Sequence, residues 1–442
     1  MDNERNTMST EKKHAPKPPM GWNSWISYAC YVQEDEIRAH ADYMAKHLLP
    51  FGYDTVVVDA LWASTLPPET NISVDPQGRL IPCPKRFPSS AGGKGFKPLA
   101  DYCHALGLKF GLHQFRGVPV EAILRKCNVM GTRIACVDIV DPDLPTGWDT
   151  GNRSVDMRKP GSQAYYDSVL NLFAEWGVDF VKFDDMIKTQ RYGHCLIPTP
   201  QAPEVEGIAR AIKACGRPMV FSISPGEADP SQADFMRQHV DMQRISGDFW
   251  DSWDELRLQF DLCAAWAPHI GAGFWPDADM LPLGKIALRF DSTSGRGPDR
   301  DTRFNYYEQI TLMTLWCICR SPLMLGNDLV RTDPLTLALI TNPEVLAVNQ
   351  ASTDNRERFR RNEHIVWTAR EPQTGDTYLA VFNLSATPSE FKVELTELGW
   401  EGPSRVRDLW ARRDLEPVTD SLTAKVPAHG AMLYRIAASG GK

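Results

Sequence analysis

Val181-Lys182-Phe183-Asp184 and Gln243-Arg244-Ile245-Ser246-Gly247-Asp248 are built alike. Each is a short apolar stretch that runs out in an aspartate with a cation close by, and the two aspartates stand 64 positions apart. Residues two apart on a strand point the same way, so Lys182 and Asp184 share a face. A lone Asp after a strand is often the cap of the next helix. Two of them, each beside a cation, also fit a site assembled at the ends of parallel strands.

The surrounding sequence repeats the pattern. Strands are predicted at Met20–Trp25, Thr55–Trp62, Lys109–Phe115, Phe180–Asp184, Met219–Ser224, Gln243–Asp248, Ala272–Asp277 and Ile318–Leu325. Helical periodicity lies between them. In Glu34–Leu49 the residues Ile37, Ala41, Met44 and Leu48 form one face. In Gln163–Trp176 the face is Val169, Leu172, Phe173 and Trp176, with Gly177 as the stop. Eight strands alternating with helices predict a (β/α)8 TIM barrel. A doubly wound sheet is the alternative, but no Gly-rich phosphate turn follows the first strand. Barrel chemistry sits at strand C-terminal ends, where Trp25, Asp59, Asp184, Ser224, Asp248 and Asp277 fall. Two long connections, 116–160 and 284–308, are candidates for a wall of the barrel mouth or a homo-oligomer contact.

After about residue 346 the pattern changes to short alternating runs: His364–Arg370, Thr377–Asn383, Phe391–Leu395, Ser404–Leu409 and Ala431–Ile436. These predict a small C-terminal antiparallel β-sandwich over 346–442, following a barrel over 18–345. It either binds carbohydrate or covers apolar barrel surface. Residues 1–17 are polar and read as a disordered tail.

Composition narrows the function. A net charge of −8 offers no basic stripe for nucleic acid. No run of eighteen apolar residues predicts a membrane span, and no apolar h-region marks a secretory signal. The expectation is a cytoplasmic protein whose ten cysteines are reduced. No His/Cys/Asp cluster has metal-ligand spacing, so neither metal nor cofactor is expected. Thirteen Trp suit a sugar-binding cleft as well as a core. Two acids delivered from different strands are what cleavage of a glycosidic bond requires.

Pro18-Pro19-Met20-Gly21-Trp22-Asn23-Ser24-Trp25 resembles the opening of glycoside hydrolase family 27, the α-galactosidase and α-N-acetylgalactosaminidase family. The resemblance continues through Trp176-Gly177-Val178-Asp179, Lys182-Phe183-Asp184, Arg244-Ile245-Ser246-Gly247-Asp248 and Trp275-Pro276-Asp277-Ala278-Asp279-Met280. It implies a retaining exo-glycosidase acting on a small oligosaccharide or glycoside, with Asp184 as nucleophile and Asp248 as acid/base. Lys182 beside Asp184 keeps that carboxylate ionised, and the Asp184 charge should raise the Asp248 pKa. By resemblance Trp25 lines the pocket near C6, Lys182 and Arg244 hydrogen-bond ring hydroxyls, and Asp59 is the first of two adjacent aspartates that hold O4 and O6.

The second of those aspartates is absent; Ala60 stands there. A site that loses a hydroxyl acceptor loses selectivity for that hydroxyl. Ala60 therefore points to a sugar without a C6 hydroxymethyl, such as β-L-arabinopyranose, unless His113 or Arg116 supplies the contact. Ser224-Pro225-Gly226-Glu227 departs from the family's Cys-Glu-Trp, which leaves a free 2-hydroxyl or an N-acetyl group at C2. His113 reads as a hydroxyl ligand or a core histidine. Asp277 borders the pocket, Asp279 is structural, and Asp185 reads as a helix cap.

Overall fold

The computed structural model describes residues 14–65, 71–144, 146, 151–188, 199–226, 228–290, 296–400 and 402–438. Eight parallel strands form one sheet: β1 (Met20–Asn23), β2 (Thr55–Val58), β3 (Lys109–Phe115), β4 (Phe180–Asp184), β5 (Val220–Ile223), β6 (Met242–Arg244), β7 (Trp275–Asp277) and β8 (Leu323–Leu325). Neighbours follow chain order, and β1 pairs with β8. Between β7 and β8 the ring is completed by Leu281, whose N–H donates to Met324 at 2.8 Å while its carbonyl accepts from Gly326 at 3.1 Å. The result is a TIM barrel. Gly21 allows β1 to press on β2, since a Cβ there would sit 2.2 Å from the Thr55 carbonyl.

The helices alternate with the strands as the periodicity predicts. α1 (Glu34–His47) buries Ile37, Ala41 and Met44, and its start is secured by the Gln33 N–H donating to Glu36 at 2.8 Å. α2 (Ser162–Trp176) ends on Gly177 at φ 86°. α3 (Tyr306–Ile318) is buried throughout from Glu308 onward. Mostly apolar, with Glu308, Gln309, Thr311 and Thr314 also buried, it shows solvent no polar face from Glu308 onward, and it lies between the barrel and the C-terminal sheet. That is why Ile318, expected to open the last strand, ends this helix instead.

The C-terminal region is antiparallel. A six-stranded sheet carries Thr353–Arg361, His364–Arg370, Thr377–Asn383, Ala431–Ala438, Ser404–Asp408 and Arg413–Val418 in that spatial order, and Ser389–Glu394 pairs with Ser421–Val426. Alternation splits the large sheet's side chains. Val366, Leu379, Val381 and Tyr434 face the small sheet, whereas Ile365, Trp367, Tyr378, Ala380, Phe382 and Leu433 join the barrel's core. Polar ties reinforce the contact: Thr311 Oγ1 donates to the His429 carbonyl at 2.6 Å, and Trp410 Nε1 to Thr314 at 2.9 Å. Covering the barrel is thus one role this region performs.

The disordered tail expected over residues 1–17 is not seen at its last positions. Residues 1–13 lie outside the described residues, but Ala15 is buried, and its carbonyl accepts from Trp275 Nε1 at 2.9 Å. An indole N–H buried at the foot of the barrel requires such an acceptor.

Candidate active site

The opening motif positions Asp59. Asn23 Nδ2 donates to Asp59 Oδ2 at 2.7 Å, Ser24 Oγ accepts from the Asp59 N–H at 2.9 Å, and the Ala60 N–H donates to Asp59 Oδ1 at 2.8 Å. Lys182 Nζ reaches Asp59 Oδ2 at 3.0 Å and Asp184 Oδ1 at 3.7 Å. Lys182 and Asp184 do share the inner face of β4, as the two-residue spacing requires.

Asp184 has further partners from both adjacent strands. His113 Nε2 lies 2.9 Å from Asp184 Oδ2, and the Ser224 hydroxyl donates to Asp184 Oδ1. His113 is buried and lies against that carboxylate. Ser224 does the same. Burial works to raise the Asp184 carboxyl, but Lys182, His113 and Arg244 outweigh it and hold the group well below the usual carboxylate range. Lys182 stays firmly protonated: burial opposes its charge, and Asp184 and Asp59 more than restore it.

Asp248 is arranged differently. β6 stops at Arg244, so Asp248 stands on the following loop and not on a strand. Arg244 Nη2 pairs with its Oδ1 at 2.7 Å, and Arg296 Nη1 with its Oδ2 at 2.9 Å. The expected rise in its pKa is not found. Partial burial pushes the carboxyl up, but Arg244 and Arg296 outweigh that and hold it below its ordinary value. Two guanidinium groups in contact exceed the effect of a carboxylate farther off.

Arg244 is oriented from behind. Asp279 Oδ2 accepts from Arg244 Nη1 at 3.2 Å and from the Phe249 N–H at 2.9 Å, with Asp279 at φ 86°. Asp279 is therefore structural, as expected. Asp277 lines a small cavity with Asn23, Lys182, Ser224 and Arg244. Burial, then the Asp279 charge, push its carboxyl up to about 7.

Two alternatives fall away. Arg116 cannot supply the contact missing at Ala60: it is fully buried, pairing with Glu204 at 2.6 Å and Asp185 at 3.2 Å. Asp185 is consequently an ion-pair partner and not a cap; its φ of 65° turns it away from Asp184. Glu227 lies outside the described residues. Trp25 packs edge-to-face on Phe290 at 5.8 Å, and Phe290 on Trp250 at 4.9 Å, which makes one aromatic wall.

Sequence reasoning missed Asn23 as the holder of Asp59, and Arg296 altogether. Asn23 was within reach, since it stands in the opening motif. Arg296 carried no signal beyond being a cation in a turn-rich connection.

A barrel that carries one aspartate at a strand end and another on the loop after a second strand, each with its own cations, together with an aromatic wall, fits a glycoside hydrolase. Residues 17–123 and 144–351 match the family model described as alpha galactosidase A, and residues 361–436 match the alpha galactosidase C-terminal beta sandwich domain. The chain belongs to this family, glycoside hydrolase family 27, and is a glycosidase. A solved β-L-arabinopyranosidase of the family from Geobacillus stearothermophilus is 45% identical, with a TM-score of 0.92 over 97% of this chain and 98% of that one. An alpha-galactosidase from Cyamopsis tetragonoloba is 27% identical over 94% of this chain and 85% of its own length. The alpha-galactosidase I of Mortierella vinacea, 22% identical with a TM-score of 0.71 over 97% of this chain and 98% of that one, shares the fold.

Proposed function

We propose that this chain is a retaining exo-glycosidase that releases terminal β-L-arabinopyranosyl or α-D-galactosyl units, with the arabinopyranosyl unit preferred. The observation that carries this is Asp184 in contact with Lys182, His113 and Ser224, near an Asp59 that is followed by Ala60 where the family resemblance implies a second carboxylate.

In this reading the Asp184 carboxylate attacks the anomeric carbon. The C1–O bond to the leaving group breaks, and that oxygen takes a proton from Asp248. The Asp184 charge is consumed in the ester bond. Asp248, now a carboxylate, draws a proton from water, whose oxygen attacks C1 and frees Asp184. Lys182, His113 and Ser224 keep the nucleophile charged and aimed, which lowers reorganisation during attack. Asp59, held by Asn23 and Lys182, is placed to accept from a ring hydroxyl.

The preference for arabinopyranose is supported by Ala60 and by the 45% identity to an enzyme of that activity. β-L-Arabinopyranose is α-D-galactopyranose without the hydroxymethyl, so the missing acceptor costs it nothing. The test is hydrolysis of the two nitrophenyl glycosides side by side. Ala60→Asp should move kcat/KM toward the galactoside; an unchanged ratio removes the pocket argument. Proton NMR of the first-formed sugar should show retained configuration, and inversion would overturn the double displacement.

A further inference from the structure

Both oxygens of Asp248 are taken by guanidinium groups, and the two arginines are of different kinds. The Arg244 side chain is only 5% exposed and also serves Asp279 and the Ser246 carbonyl. The Arg296 side chain is 35% exposed, comes from the long connection after β7, and lies over the Trp250 ring at 5.2 Å. A guanidinium on each oxygen favours the ionised carboxyl. Acid catalysis needs a proton on one of those oxygens, facing the leaving group, and the guanidinium that occupies that direction must withdraw first. Withdrawal of Arg244 would leave Asp279 buried without its cation, which is costly. Arg296 is the more exposed of the two, and when it withdraws Asp248 keeps Arg244.

We propose that Arg296 is a positioning residue on the leaving-group side. It holds Asp248 as a carboxylate in the free protein and gives up its place to the departing group's oxygen. The proposal rests on the reading of Asp248 as the acid. Its chemistry is a proton balance: as Arg296 swings off Oδ2, Asp248 takes a proton from solvent and delivers it to the leaving oxygen. Among the described residues, the charged groups that act on Asp248 include Arg244 after β6, Arg296 from the connection, Lys182 from β4 and Asp279 behind Arg244. Of these only Arg296 is substantially open to solvent. Leaving groups therefore divide into two classes. Sugars and alcohols, which must be protonated, feel Arg296; electron-poor phenols, which depart unaided, do not.

The test is Arg296→Gln in the full chain. On an alkyl glycoside, kcat/KM falls at high pH as free Asp248 loses its proton. Removing a half-exposed cation should shift that limb upward by about one pH unit, giving roughly tenfold more activity above it. Arg296→Lys should return the limb toward the wild-type position. On a dinitrophenyl glycoside the limb should not differ between wild type and Arg296→Gln. A carbon NMR titration of the Asp248 carboxyl, which needs no turnover, should show the same upward shift. An Asp248 resonance that titrates identically in both proteins overturns the proposal, as does equal loss on both aglycones. If the wild type cleaves neither glycoside, the reading of function fails while the titration still decides the Arg296 contact.

Discussion

The two aspartates sit in surroundings of opposite character. Asp184 ends a strand in the middle of the sheet, and its partners His113, Lys182 and Ser224 stand on or just beyond β3, β4 and β5. Asp248 hangs on a loop, and one of its two cations comes from a connection 48 residues away. The first group is held by buried neighbours on adjacent strands. The second is held in part by Arg296, whose side chain is 35% exposed. A nucleophile must be charged and aimed at all times, whereas an acid/base must change protonation within each turnover. Rigid strands suit the former, a loop the latter.

The sharpest test of that contrast is removal of each acid. Asp184→Asn should lower kcat about 10⁴-fold on every substrate, because no leaving group substitutes for a nucleophile. Retained activity would end the role assignment. Asp248→Asn should cost about 10²- to 10⁴-fold on an alkyl glycoside and far less on a dinitrophenyl one. Equal losses would erase the difference between the acids.

Smaller changes probe the supports. His113→Phe removes a ring nitrogen 2.9 Å from Asp184 Oδ2 and should reduce kcat about tenfold or more. Its sign with pH is definite. The Asp184 pKa is depressed, so activity persists to low pH and fails as pH drops through that value. Losing His113 raises the value, and the acid limb of kcat/KM should move upward. Gly226→Ala should perturb the other acid through its loop, since a Cβ there would stand 2.3 Å from the Arg244 carbonyl and 2.4 Å from the Ser246 N–H. Expected is a stability loss of about 1–3 kcal/mol by denaturant melting, with the activity loss larger on alkyl than on dinitrophenyl glycosides.

The smallest effect concerns Asp277. Its folded pKa, about 7, lies above the unfolded value near 4. The folded state therefore binds the proton more tightly, and stability falls as pH rises between about 4 and 7. Asp277→Asn should flatten that part of the Tm profile; an unchanged slope would show that other groups dominate it.

Much of this was legible in the chain. β3 and β4 run over the residues predicted, as do His364–Arg370 and Thr377–Asn383, because a short, nearly continuous apolar run is a local signal. Thr353–Arg361, Arg413–Val418 and Ser421–Val426 escaped notice. Thr353–Arg361 and Arg413–Val418 are edge strands, largely exposed and rich in charge, so little apolar alternation marks them. Asp184 and Asp248 stood out because each ends an apolar stretch beside a cation. The electrostatics of Asp248 did not, because they turn on Arg296.

The chain alone determined the alternation of strand and helix, the placing of Asp59, Asp184 and Asp277 at or near strand ends, and the absence of a second acid at Ala60. Each of these is written within a few consecutive residues. Only the closed barrel decided that His113 and Ser224 would clasp Asp184, that Asn23 would orient Asp59, and that Arg296 would cover Asp248. Those contacts join residues 36 to 71 positions apart, and such pairings arise from strand register and ring closure, which no local pattern encodes.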